Sequence, residues 1–145
     1  MGNLKLLLAL GVSGLMAGGV SPSLGSEAPD KPDSASVGVG RDLFKSYCAS
    51  CHGKTGQGDG SLAEHLRTPP ANLTEISKRN GGVFPFALVV KIIDGRKPVS
   101  GHGGADMPAW GDAFEKSAGG LTEEAVKRRI QGLAHFLWSI QKATG

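Results

Sequence analysis

Two cysteines and a histidine fall within five residues, Cys48-Ala49-Ser50-Cys51-His52, and the chain has no other cysteine. Cysteines at this spacing serve three chemistries: dithiol exchange, metal ligation and covalent attachment of haem. A thioredoxin-like exchange pair follows a strand and opens a helix. Here Leu43, Phe44 and Tyr47 precede the pair at helical spacing, and residues 40–47 contain nothing β-branched, so the pair ends a helix. A structural zinc ion takes four ligands. Two more at customary spacing are lacking, with only His65 as a partial candidate. The third chemistry asks for a histidine directly after the second cysteine, and His52 is there. Two thioethers would fix the edge of a porphyrin while the adjacent imidazole reaches its iron. The pattern points to one haem, bound through Cys48 and Cys51 with His52 on the metal.

From Val39 to Lys142 the chain resembles the class I cytochromes c. Gly40 and Phe44 stand four apart before the motif, as do a glycine and an aromatic residue in that family, where they meet the C-terminal helix. The segment Phe136-Leu137-Trp138-Ser139-Ile140-Gln141 looks like the family's closing segment. The resemblance implies an all-α fold of short helices around one haem c, with the N- and C-terminal helices crossing. Gly40, without a Cβ, would let the two backbones approach closely. Phe136 would supply the aromatic edge.

The loop Asp106-Met107-Pro108-Ala109-Trp110-Gly111 is similar to the family's sixth-ligand loop, which makes Met107 the expected second ligand to the iron. Pro108 fixes φ and removes an N–H, so the loop can hold the thioether in place. A soft sulfur trans to imidazole raises the reduction potential. Two alternatives stand beside this reading. Met107 could fill a gap in the core. His102, within Gly101-His102-Gly103-Gly104, could be the ligand and give a bis-histidine haem of lower potential. His65 is expected at the surface and His135 partly packed in the last helix, neither with a function. Pro69-Pro70-Ala71-Asn72-Leu73-Thr74 resembles the family segment in which a proline carbonyl accepts the proton on the proximal histidine Nδ1. Pro70 is preferred to Pro69 for that bond, which would orient His52.

Gly53-Lys54-Thr55 has the look of a P-loop end, but that motif needs a glycine where Cys48 stands. Gly56, Gly58 and Gly60 then read as a loop around the haem edge. The elements that must position these groups are helical. A first helix is expected over 39–48 and a short one over 61–67. A third runs from Thr74, its cap, to Asn80, stopped by Gly81-Gly82. Pro85 opens a helix that ends at Gly95, although the β-branched run inside it also fits a buried strand. Thr122 caps the last helix, with Glu123 and Glu124 at the positive end of its dipole and Leu121 and Val126 spaced as a hydrophobic staple. Val126, Ile130, Leu133, Leu137 and Ile140 form one apolar stripe along it, read as core.

The 145 residues suggest one domain. Met1 to Lys5 is a short positive start, and Leu6 to Met16 is apolar and uncharged. Small residues follow, the order of a secretory leader over 1–25, cut after Gly19 or Gly25. An uncleaved anchor is the alternative, against which the several glycines argue. Residues 26–37, with two prolines and three serines, read as a flexible linker. Residues 38–145 read as the cytochrome domain. The net charge is +3, of which Lys5 in the leader supplies one, so nothing calls for nucleic acid. The run Lys127-Arg128-Arg129 reads as a solvated helix face, with a docking patch for an acidic redox partner as the sharper alternative. Arg96 and Lys97 could meet propionates or face solvent. Trp110 could pack on haem or close its loop.

The resemblance implies a periplasmic, monomeric carrier that passes single electrons between redox proteins through an exposed haem edge. An alternative is the cytochrome c subunit of a periplasmic dehydrogenase or oxidase complex. Another is a haem enzyme with an open iron, although no acid–base pair stands beside the motif. A gas sensor would need a signalling domain that the chain does not display.

Overall fold

The computed structural model describes residues 29–97, 107–117 and 119–143. The leader with its cleavage points, the first residues of the linker and His102 lie outside them.

Helix α1 (Ser34–Tyr47) starts five residues before the expected position. Asp33 is the reason: its carboxylate accepts from the Ser36 N–H at 2.8 Å and satisfies an otherwise orphaned donor of the first turn. The helix thereby takes Ser34 to Val37 out of the stretch read as linker. The chain turns at Cys48 into the short helix α2 (Ala49–His52), closed by Gly53 at φ +79. The expected helix over 61–67 is a single 3₁₀ turn, Ala63–His65. A second 3₁₀ turn, Leu73–Glu75, leads into α3 (Ile76–Arg79). The cap there is Asn72 rather than Thr74: its Oδ1 accepts from the Thr74 N–H at 3.0 Å and from the Thr74 hydroxyl at 2.7 Å.

Gly81 and Gly82 stop that segment in left-handed conformations, as expected (φ +64 and +92). Pro85 precedes α4 (Phe86–Asp94) and Gly95 ends it at φ +67, so the strand alternative falls. Helix α5 (Trp110–Glu115) was not legible as a helix, since it has six residues and a glycine in its first turn. Thr122 caps α6 (Glu123–Ser139) by accepting from the Ala125 N–H at 3.3 Å, as expected. No strand occurs among the described residues, and the fold is all-α.

Helix α6 is the spine, packed against α1, α4 and α5. Its predicted stripe is the core: Val126, Ile130, Leu133 and Leu137 are buried, and Ile140 packs half-buried against them. The crossing with α1 depends on two glycines. A Cβ on Gly40 would fall on the Gly132 carbonyl and lie 2.9 Å from the Phe136 Cβ. Phe44 and Phe136 then meet with ring centroids 5.1 Å apart, tilted by 48°. The chain beyond α6 clamps the loop below the motif. Gln141 accepts from the Ser77 N–H at 2.8 Å and donates to the carbonyls of Leu73 and Leu137 at 2.8 and 2.7 Å. The Lys142 N–H adds a bond to the Thr74 carbonyl at 2.9 Å.

Candidate haem site

Cys48, Cys51 and His52 are brought together by the turn between α1 and α2. Both cysteines are half-buried. The glycine loop that follows is laid back on the motif by backbone bonds: Gly58 N–H to the His52 carbonyl (2.8 Å), Gly60 N–H to Cys51 (3.1 Å) and Leu62 N–H to Ser50 (2.9 Å). Leu73 N–H bonds the Gly56 carbonyl at 2.7 Å and ties the next segment to the same loop.

That tie sets the partner of His52. Its Nδ1 lies 3.1 Å from the carbonyl oxygen of Ala71, not of Pro70. Pro70 fails for a steric reason, because its carbonyl is packed against Gly58, where a Cβ would strike it. A carbonyl only accepts, so Nδ1 carries the proton and the Nε2 lone pair is free for a metal. Burial pushes the His52 pKa below its usual value, against the opposing pull of the Ala71 carbonyl, and keeps the ring neutral. Two thiols and a neutral imidazole, in this order and held this closely, fit what covalent haem requires.

The same geometry weighs against the rival chemistries. Burial, with the neighbouring Cys51 adding to it, pushes the Cys48 thiol up to about 12. Dithiol exchange needs a thiolate, and Cys48 at that value is a poor source of one. Among the described residues no group of three or more His, Cys, Asp or Glu side chains could hold a metal ion, so those residues offer zinc no ligand set. His65 is exposed, as expected, and lies 3.7 Å from Glu64.

Met107 is half-buried and stands three residues before Trp110. The Trp110 ring meets Tyr47, the residue that precedes Cys48, edge-on at 5.4 Å and Phe114 at 5.6 Å. The segment carrying Met107 therefore runs into a helix anchored next to the motif. Of the basic run, Lys127 and Arg128 are exposed, while the Arg129 guanidinium lies 5.4 Å over the Phe114 ring. Arg96 is taken up by carboxylates rather than presented to solvent.

His135 is more deeply placed than the sequence suggested. It is buried, its Nδ1 accepts the Asp33 N–H at 3.1 Å, and its ring lies 4.7 Å from Phe86. Burial lowers its pKa from 6.5, with the Asp33 charge opposing. The fold holds it neutral, whereas the unfolded chain takes a proton below about 6.5, so stability is full above that pH and lost as pH falls through it. Asp33, with its pKa lowered by the bonds from Ser36, adds a loss of the same sign at lower pH. The urea midpoint is expected to fall from about pH 7.5 to about pH 5, and His135→Gln should flatten that slope. Equal slopes in the two proteins would remove His135 from the effect.

Ala71 and Gly132 were missed as contributors, and neither carries a local signal, whereas Gly58 was read as part of the loop at the haem edge. An imidazole with its proton fixed by a carbonyl, carried beside paired thiols on helices that cross through glycines, places this chain among the class I c-type cytochromes. Residues 35–123, more than half of the chain, match the family described as cytochrome C oxidase, cbb3-type, subunit III, and the chain belongs to that family. No curated protein sequence and no solved structure matches it. The family's cofactor is covalent haem c, and one C-x-x-C-H motif provides for one such group. Haem-based electron transfer is the function that follows.

Proposed function

We propose that the protein is a periplasmic monohaem electron carrier in which Cys48 and Cys51 bear the thioethers, His52 Nε2 is the proximal ligand and the Met107 sulfur is the second. The bond from His52 Nδ1 to the Ala71 carbonyl carries the proposal, because it orients the ring and strengthens its donor character. When bound, haem supplies a one-electron couple between Fe(II) and Fe(III). The chain's own residues do the rest. Gly58 and Leu73 hold the loop segments that surround His52. Phe44 and Phe136 keep water from the junction of α1 and α6. The thioether raises the potential relative to a second imidazole.

The family's description favours a second reading, a cytochrome subunit of an oxidase complex. No helix among the described residues is long and apolar enough to cross a membrane. Co-purification with a larger cofactor-bearing assembly would select this reading over the free carrier.

The test of the ligand set is a visible spectrum of the reduced, haem-loaded protein before and after carbon monoxide. The spectrum is expected not to change, because His52 and Met107 would both hold the iron and leave the gas no open site. Met107→His is expected to lower the potential by more than about 100 mV, within the roughly 0.8 V that axial ligation commands. An unchanged potential would take Met107 off the iron.

A further inference from the structure

The chain that leaves α4 and enters α5 is closed at its base. Gly95 sits against Ala109, where a Cβ on the glycine would stand 2.8 Å from the Ala109 Cα and 3.0 Å from its Cβ. Arg96 and Asp94 lie over Gly111, where a Cβ would come 2.8 Å from the Arg96 Cδ and 2.6 Å from the Asp94 Oδ1. Met107 is two residues before Ala109 and four before Gly111.

One guanidinium organises this base. Arg96 Nε and Nη2 donate to the two oxygens of Asp94, both at 2.7 Å. Its Nη1 and Nη2 donate to Glu123 Oε2 and Oε1 at 2.8 and 3.0 Å, and Glu115 lies 3.8 Å away. Asp94 ends α4, Glu115 ends α5 and Glu123 begins α6. A single cation thus joins three helices through three carboxylates. Its planar fork suits paired carboxylates in a way that an ammonium does not. Without it, three like charges face one another.

We propose that Arg96 is a positioning residue for the second axial ligand: it clamps the base from which Met107 springs and so keeps the thioether at the iron without touching it. The proposal rests on the assignment of Met107 above. A neutral thioether is a weak ligand held by its effective concentration at the metal, and that concentration falls when the tether gains freedom. Loosening the base should therefore weaken the sulfur–iron bond before it unfolds the domain.

The test compares haem-loaded Arg96→Met, Arg96→Lys and Met107→Leu with the native protein. Three quantities are read: the sulfur-to-ferric-iron charge-transfer band, the carbon monoxide affinity of the ferrous form, and the urea midpoint. Arg96→Met is expected to bind carbon monoxide roughly five- to tenfold more tightly at urea concentrations where the fold is intact, with a weaker band. Arg96→Lys should fall between it and the native protein. Adding Glu123→Gln to Arg96→Met removes one repelling charge and should restore part of the band. If Met107→Leu changes both signals while Arg96→Met leaves them native, the clamp is overturned and Met107 stands. If Met107→Leu is indistinguishable from native, the ligand assignment falls and the clamp with it. Should Arg96→Met fail to fold, Arg96→Lys decides on the same readouts, a native band and affinity overturning the clamp.

Discussion

A chain with alanine at both Cys48 and Cys51 will leave a host competent in haem attachment with no haem that survives denaturation. The loss should be complete, because these are the chain's only cysteines and each thioether needs one. Either single variant should retain a haem attached at one edge. The comparison is made by haem staining after denaturing electrophoresis, against a control cytochrome matured in the same host. The double variant also loses stability. About a hundred residues bury a modest share of their surface, and a domain of this size is marginal without a large apolar group inside it. Haem that stayed covalently bound in the double variant would place the attachment elsewhere and sink the site.

Gly40→Ala is the second large effect, and it acts on the scaffold. The added methyl falls on the Gly132 carbonyl, which is backbone and cannot swing aside. Helix α1 must then back away from α6, and the contact of Phe44 with Phe136 opens with it. Overpacking of this kind costs about 1–3 kcal/mol, and we expect the upper end because both neighbours are helices. Gly38 is the control. It lies on the same helix, and a methyl added there would meet nothing within 4 Å. At that position alanine should stabilise by up to about 1 kcal/mol through helix propensity alone. Urea midpoints of the two variants should move in opposite directions, and similar midpoints would argue against the close crossing.

What the sequence disclosed was what neighbouring residues determine. The cap at Thr122 and the stops at Gly81 and Gly95 each depend on a few neighbouring residues, the stripe on α6 on one helical period, and each was placed correctly. Gly40 and Phe44 were found through the family resemblance, yet their partner Gly132 was not, because nothing local marks a glycine in the middle of a helix as a crossing point. The partner of His52 shows the same limit. Whether Pro70 or Ala71 turns its carbonyl inward depends on how Gly58 packs, and that contact spans a loop. Asp33 could have been found: an aspartate directly before a helical run is an N-cap signal, obscured by the prolines that made its segment look unstructured. Arg96 was read as facing propionates or solvent, and its carboxylate partners were not legible because they stand on three separate helices.

The pairing of the first helix with the last also orders events in time. The Asp33 N–H and the His135 ring are 102 residues apart along the chain, so this contact has one of the longest loops to close. Contacts of such separation form late and slow the search for the native state. Chains are made from the N-terminus, which means that α1 and the two cysteines exist well before the helix that packs on α1. Through that interval the motif hangs from a helix whose own packing face is still bare, and that face is filled only when Gly132 reaches Gly40.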